Sequence, residues 1–421
     1  MLNTINRPFE TRYKSHHDAS RSLKRRYTMN ISAEEYLEQI LNQPAKSRRA
    51  IYIHVPFCTK VCSFCPFHRP DQLRRREYHR HLIAEMRRIR GFEYMKAPIS
   101  AVNFGGGTPT ALSPEQLELI LEELHQSFNI SPDAEISVET SATELTDDML
   151  SALRRQGVNR LSVGVQTFDD DGRALLGRRG SGDFAYSRIE RALEYGFVNV
   201  SADIIYNYPG QTEAKLLDDI RRIGSLGLAG ISFYSLMLHE RTPLYYRLGR
   251  PEREELENID RQYAFFNLLL DQLEPYGYEP FELTKLIRNK LDKYEYMEVR
   301  HSHGSCIALG QGAGGNIENY LYSNTPDYNQ VSETCPISAS GRIVSDEYRI
   351  IDSFIWELQK GSVDLGGYSK RLGLDLCSIL QAELERFVDY GLIESDDDKI
   401  TLTPDGLFWG SNSIDALVSR L

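Results

Sequence analysis

The chain has 421 residues, about three times the roughly 150 used as a prior for one domain, so it holds one large domain with an appendage, or two domains. Forty-nine Lys and Arg against 60 Asp and Glu give a net charge of −11, which disfavours a general polyanion binder, and 41% hydrophobic with 26% charged residues excludes disordered, fibrous and collagenous classes. No run approaches the roughly 18 apolar residues of a membrane span, the N-terminus lacks the apolar core of a signal peptide, and six cysteines are too sparse for a disulfide scaffold. The expectation is a cytoplasmic protein without membrane or nucleic-acid partners, whose cysteines serve chemistry.

Residues 1–49 read as a basic arm, with seven Lys and Arg against two Asp and Glu in 1–30 and no sustained periodicity before Ala33. From Ile51 short apolar runs of strand length follow one another at 51–55, 100–104, 135–139, 160–165, 200–206 and 230–236. Helical periodicity fills the gaps at 72–90, 114–128, 146–156, 183–195 and 213–226. Ser113 and Thr146, each followed by acidic first-turn residues, supply helix start signals. Strands alternating with helices argue for βαβ units and a parallel sheet, doubly wound or closed as a barrel. A longer helix is predicted over 253–275, then a region of mixed period to about 340. Helices at 346–360 and 376–390 precede two short strands around Asp396, Asp397 and Asp398, a winged-helix-like pattern whose acidic wing would repel phosphate. The expected division is an arm at 1–49, a barrel and extension at 50–320, and a mostly helical C-terminal winged-helix-like domain at 321–421.

Cys58, Cys62 and Cys65 form a Cys-x3-Cys-x2-Cys cluster directly after the first long strand, and thiolates at this spacing can wrap one iron–sulfur cluster. Three ligands leave one iron of a cubane open, as a reactive site requires. The alternative is a zinc site completed by His68 or His54, although no second cysteine pair exists. Gly105, Gly106, Gly107 and Thr108 follow the second strand, where glycines let backbone approach a ligand. A second glycine-rich segment, Gly310-Gln311-Gly312-Ala313-Gly314-Gly315, lies too far from a βαβ start to be a dinucleotide fingerprint.

The run Tyr52-Ile-His-Val-Pro-Phe-Cys58 with Cys62, Phe64 and Cys65 resembles the signature of radical S-adenosylmethionine enzymes. The order YIHVPFC, GGGTPT, EISVE, NRLSVGVQTF, DIIYNYPGQT is similar to the coproporphyrinogen III dehydrogenase branch. The GxGAGG form at 310–315 and the ending LTPDGLFWGSN at 402–412 resemble the haem-utilisation members of that branch, the anaerobilin synthases, so the resemblance spans about 50–421. It implies an α/β fold built on a partial (β/α)6 barrel and a 4Fe-4S cluster on Cys58, Cys62 and Cys65. It implies S-adenosylmethionine held by Gly105, Gly106, Gly107 and Thr108, by Glu139 at the ribose, and by Gln166, Arg178 and Asp203. Tyr52 would sit near the sulfonium and Phe64 beside the cluster. Gly310, Gly312, Ala313 and Gly314 would bind a second S-adenosylmethionine. The implied activity is oxygen-independent opening and methylation of haem, releasing iron and a linear tetrapyrrole, with electrons from a flavodoxin or ferredoxin. The rival readings are a radical C-methyltransferase or cyclopropanase on another planar aromatic substrate, and a haem-trafficking protein.

The chain departs from its relatives at four points. Phe67 stands where coproporphyrinogen dehydrogenases have a further cysteine, Pro66 replaces the glycine usual after the third cysteine, and Asn207-Tyr208-Pro209 replaces Gly-Leu-Pro. Arg300-His301-Ser302-His303-Gly304-Ser305-Cys306 replaces the His-Asn-x-x-Tyr-Trp element of the haem chaperones. For a porphyrin, Arg69, Arg74 and Arg76 are candidate propionate contacts, and His68, His301, His303 and Cys306 candidate haem or substrate contacts. Cys335 and Cys377 read as packing residues.

Overall fold

A computed structural model describes residues 7–13, 23, 26–67, 72–325, 337, 341–396 and 398–421. His68, Arg69, Cys335 and Asp397 lie outside the described residues. After a short strand β1 (Thr28–Met29) and a helix at Ala33–Leu41 come six mutually parallel strands: β2 (Arg49–Val55), β3 (Ile99–Gly106), β4 (Ile130–Ser141), β5 (Arg160–Gln166), β6 (Asn199–Tyr206) and β7 (Gly230–Ser235). These are the six predicted runs, and the intervening helices Tyr78–Ile89, Pro114–Ser127, Asp147–Arg155, Gly182–Glu194 and Glu213–Leu226 follow the predicted periods closely. The fold is the expected partial (β/α)6 barrel.

The alternation along β2 shows how the barrel is assembled. Ile51, Ile53 and Val55 are fully buried in the main core, while Tyr52 and His54 are only partly covered. The parallel register sets Tyr52 beside Asn103 on β3 and Glu139 beside Ser162 on β5. Helix starts are fixed locally: Ser113 and Gln116 form a capping box, and the Thr146 hydroxyl accepts from Met149 N–H at 3.2 Å, each cap contributing about 1 kcal/mol.

Beyond β7 the chain splits the predicted 253–275 helix into Arg250–Glu257 and Ile259–Leu273, with Asn258 capping the second. The hairpin β8 (Tyr278–Glu282) and β9 (Lys285–Arg288) extends the sheet at one edge, β9 lying antiparallel to β7. The chain then returns beneath the barrel, where Asp292 accepts from Arg160 Nε at 2.9 Å and Nη2 at 3.0 Å and pairs with Lys285 Nζ at 2.8 Å. All three are essentially excluded from solvent, a buried ion triad whose members satisfy one another. After a helix at Glu295–His301, β10 (Ser305–Leu309) docks parallel to β2, opposing Ala308 to Tyr52. Strands β11 (Gly314–Ile317), β12 (Tyr320–Ser323) and β13 (Arg342–Val344) continue antiparallel, and β13 pairs with β1. The large sheet therefore runs past residue 320 through β13 to its edge strand β1.

The C-terminal part comprises the helix Asp346–Gln359, β14 (Ser362–Asp364), helices Leu365–Leu372 and Leu376–Asp389, the hairpin β15 (Ile393–Asp396) and β16 (Lys399–Leu402), and the helices Pro404–Phe408 and Gly410–Val418. Its three strands, in the order β14-β16-β15, make the small sheet of a winged-helix arrangement. Part of the basic arm is docked on its last two helices. Arg12 Nε donates to the Phe408 carbonyl at 2.8 Å, its guanidinium lies 4.1 Å from the Phe408 ring, and the Phe9 ring meets the buried Trp409 at 5.7 Å. Asn412 accepts from Tyr13 N–H and donates to the Thr11 carbonyl. The ending LFWGSN is thus the seat of the arm.

Candidate active site

The cysteine loop leaves β2 at its C-terminal end, where barrel folds concentrate function. Ser63 pins it: its N–H donates to Leu176 O at 3.0 Å, its hydroxyl to Leu175 O at 2.6 Å, and its carbonyl accepts from Leu244 N–H at 2.8 Å. Cys58, Cys62 and Cys65 remain partly exposed, free of disulfides, on the wall of a cavity of about 610 Å³. Tyr52, His54, Phe64, Gly106, Gly107, Thr108, Glu139, Gln166 and Arg178 line the same cavity. These twelve residues, all singled out in the sequence, therefore converge on one space.

Two donors point at cysteine sulfurs. Arg178 Nη1 donates to Cys62 Sγ at 3.1 Å, and the Thr108 hydroxyl to Cys58 Sγ at 3.5 Å. Such donors match thiolate sulfurs that ligate a metal cluster. Of the two histidines of the zinc alternative, His68 lies outside the described residues and His54 is turned to Tyr52. Among the described residues no three His, Cys, Asp or Glu side chains converge on one ion, and the His54 Nδ1 lies 2.9 Å from the Tyr52 hydroxyl.

Gly105 and Gly106 end β3, Gly107 follows it, and the run lies beside the cysteine loop, Gly107 N–H donating to Val55 O and Thr108 N–H to Phe57 O. Their lack of side chains is required. A Cβ on Gly105 would lie 2.6 Å from Glu139 Oε1, one on Gly107 2.5 Å from the Phe57 carbonyl, and one on Gly106, at φ +115°, 2.6 Å from the His54 ring. Glu139 accepts from Asn103 Nδ2 at 3.3 Å. Burial pushes its carboxyl up to about 7, against the hydrogen bond from Asn103 and with the help of nearby Asp203. Burial likewise lowers His54 and raises Tyr52, so the imidazole and phenol beside the glycines are both neutral near pH 7.

Asp203 faces the barrel interior, accepting from the Ser162 hydroxyl at 3.4 Å, but does not line this cavity. Phe64 lines it and packs against a buried cluster that includes Leu176, Ile205 and Tyr208. Of the second glycine segment, Gly312 reaches the cavity together with Gln311, a residue the sequence reading passed over. Gly310, Ala313 and Gly314 are engaged in the fold. Gly310 N–H donates to Glu85 Oε2 at 2.8 Å, its carbonyl accepts from Asn324 and from Ala313 N–H, Ala313 is fully buried, and Gly314 pairs with Ser323 on β12.

The arginine run at 74–90 turns outward. Arg74 and Arg76 are exposed, Arg87 and Arg90 pair with Glu123 on the neighbouring helix at 2.6 and 3.3 Å, and Arg80 pairs with Glu77. His301 stacks on Trp356 at 3.5 Å, His303 contacts Arg371, and Cys306 is buried 3.7 Å from the Tyr296 hydroxyl, so none of the three lines the cysteine cavity. Glu85 was hidden in the arginine run, yet its spacing from Tyr78, Leu82 and Met86 places it on the buried face of that helix.

The family model described as the radical SAM superfamily matches residues 52–223. The chain is 27% identical over 386 residues to the heme chaperone HemW of Bacillus subtilis, covering 89% of this chain and 100% of that one. It is 27% identical over 393 residues to the anaerobilin synthase of Escherichia coli, covering 90% and 86% respectively. The solved structure of Escherichia coli coproporphyrinogen III oxidase, HemN, superposes with a TM-score of 0.80 over 97% of each chain at 22% identity, a likeness of fold. No helix among the described residues is long and apolar enough to cross a membrane.

Proposed function

We propose that this chain, whose residues 52–223 match the radical SAM superfamily model, is a radical S-adenosylmethionine enzyme of the coproporphyrinogen oxidase-like branch that opens and methylates haem without oxygen, releasing iron and a linear tetrapyrrole. The observation that carries this reading is the joining of the cysteine loop and the tip of the second glycine segment, Gln311 and Gly312, on one cavity. Ring opening with carbon transfer calls for two S-adenosylmethionine molecules close together, and β10 beside β2 brings two candidate segments to one end of the barrel.

The superfamily implies a 4Fe-4S cluster and S-adenosylmethionine, which together supply one-electron cleavage and a strong abstractor of hydrogen atoms when bound. The residues present fit them. Cys58, Cys62 and Cys65 would hold three irons and leave the fourth open, with Arg178 and Thr108 stabilising thiolate charge through the bonds to Cys62 and Cys58. Gly105–Gly107 clear the space in which Glu139 can accept from ribose hydroxyls. Tyr52 offers an un-ionised ring whose face favours a nearby sulfonium. Gln166, at φ +74°, turns the end of β5 toward the cavity, and Gly164 just before it accepts from Arg178. Gly312, with open space where a Cβ would stand, lets a second cofactor lie against backbone. Electrons would come from a flavodoxin or ferredoxin.

The second reading is haem trafficking, favoured by the full-length alignment with a heme chaperone. The third, a C-methyltransferase or cyclopropanase on another planar aromatic compound, needs the same cavity. One experiment separates the three. Cluster-loaded protein is incubated anaerobically with haem, S-adenosylmethionine and reductant while the Soret band is followed and products are weighed. Soret loss with deoxyadenosine and a methylated, iron-free tetrapyrrole is expected. Stoichiometric haem binding with the porphyrin unchanged selects trafficking, and cofactor cleavage without haem binding selects the methyltransferase.

A further inference from the structure

The helix Glu295–His301 lies against β2, β3 and β10, and its apolar residues Tyr296 and Val299 pack with Ala50, Ala101 and Cys306. The Tyr296 ring stacks on Tyr52 with centroids 6.0 Å apart and planes 29° from parallel, so this helix touches the wall of the cysteine cavity from behind. One turn on, Arg300 Nη1 donates to the Tyr296 hydroxyl at 3.3 Å, and its guanidinium carbon lies 5.6 Å from the Tyr296 ring centre. Arg300 keeps an exposed surface, yet Tyr52, Tyr296, Cys306 and Tyr348 all fall within its electrostatic reach.

Four of the interior cations are held by protein partners, while the buried Arg49 donates from Nη1 to the Tyr94 carbonyl. Arg160 and Lys285 hold Asp292, Arg178 holds Cys62 and Gly164, and Arg173 donates to the carbonyls of Val165, Thr167, Arg179 and Gly180. Arg300 differs. Among the described residues no carboxylate comes within ion-pairing distance of it, and the acid that acts on it, Asp352 on Asp346–Gln359, does so from farther away. Its other neighbours are phenols and a thiol whose burial holds them neutral. A guanidinium in this position has donors left over and no carboxylate paired with it among the described residues, and a planar fork of this kind matches a carboxylate in bidentate fashion.

We propose that Arg300, backed by the Tyr296 hydroxyl, anchors a carboxylate of the ligand that occupies the barrel on the far side of Tyr52 from the cysteine loop. This rests on the proposed function for the identity of that ligand. The carboxylate belongs either to a tetrapyrrole side chain or to the amino-acid end of a second S-adenosylmethionine. In both cases Arg300 is a positioning residue: it fixes one end of the ligand and Tyr296 fixes the arginine, which sets the distance of the reacting carbon from Tyr52.

The test uses full-length, cluster-loaded protein under anaerobic conditions, as wild type and with Arg300→Met, Arg300→Gln and Arg300→Lys. Haem and haem dimethyl ester are titrated by the Soret band, and S-adenosylmethionine is counted by equilibrium dialysis. Loss of a charge-assisted pair predicts that R300M and R300Q bind haem about 10- to 100-fold more weakly, with less than about a threefold change for the ester and partial recovery in R300K. If the carboxylate is the cofactor's, haem affinity holds and R300M and R300Q lose one equivalent of S-adenosylmethionine. Unchanged haem affinity together with unchanged cofactor stoichiometry in either neutral variant overturns the anchor. Wild-type protein that binds neither haem nor its ester overturns the tetrapyrrole reading alone, and the dialysis arm then decides the role of Arg300. R300Q, close to arginine in shape and polarity, carries the test if R300M does not fold.

Discussion

The two glycine-rich segments sit on strands of the same sheet and use glycine for opposite ends. At 105–107 the missing side chains clear space around functional groups: Glu139, His54 and the Phe57 carbonyl each occupy the volume a Cβ would need. At 310–315 the glycines chiefly serve the fold. Gly310, at φ +95°, would drive a Cβ to 2.5 Å from the His54 carbonyl and 2.7 Å from the Tyr78 hydroxyl, and its own polar groups are already satisfied by Glu85 and Asn324. Only the tip, Gln311 and Gly312, faces the cavity. Likeness of motif therefore does not carry likeness of role residue by residue. A glycine's neighbours decide whether it frees a site or seals a turn.

The largest effects should fall on the first region. Replacing Cys58, Cys62 or Cys65 by alanine is expected to remove bound iron and all deoxyadenosine formation, measured by iron analysis and chromatography; full turnover in any of them would break the assignment of that loop. The contrast between the glycine segments is sharpened by Gly310→Ala and Gly312→Ala. The first combines left-handed backbone with a clash and should cost about 2–4 kcal/mol in thermal or denaturant unfolding. The second meets open space and should cost about 1 kcal/mol while weakening cofactor binding. Equal destabilisation of the two would contradict the division of roles.

Glu85 gives the comparison a pH signature. Burial raises its carboxyl from 4.5 to about 7, against the hydrogen bonds from Gly310 and Asn324. Because the folded value lies above the unfolded one, the stability tied to the protonated form is complete below pH 4.5 and is lost as the pH rises through 7. The whole span is on the order of 3 kcal/mol. Glu85→Gln should flatten that part of the stability profile, and an unaltered profile would remove Glu85 from its cause. Arg178→Met, which deletes the donor to Cys62 Sγ, is expected to weaken S-adenosylmethionine binding about tenfold. The smallest change is assigned to Thr108→Val. Loss of its 3.5 Å bond to Cys58 Sγ should move the cluster potential to a more negative value in a redox titration, because such a donor stabilises the more negatively charged reduced form.

Much of this was legible in the sequence. The six barrel strands and five of their helices stand where alternation and 3.6-residue periodicity put them, because each buries a face whose pattern is local. The cysteines and the first glycines were legible because they stand at or just after strand ends in a recognisable order, and Glu139, Gln166 and Arg178 were reached through the resemblance that this order carries, Arg178 standing after the helix Asp170–Leu176 and not at a strand end. What escaped was non-local. Nothing in the five residues Ser305–Leu309 announces that β10 lies beside β2, about 250 residues earlier, and that pairing is what brings Gln311 and Gly312 to the cysteines. The arm showed no sustained period because its docking runs through single contacts of Phe9, Arg12 and Tyr13. The break at Asn258 was missed because the residues on both sides favour helix, and only the cap reveals the turn.

The most direct measurement is the number of S-adenosylmethionine molecules bound per chain by cluster-loaded protein in anaerobic equilibrium dialysis with haem present, for wild type and Gly312→Val. A cavity shared by both segments predicts two per chain, with one retained in the variant. One molecule per chain in the wild type, unchanged by the substitution, would contradict it.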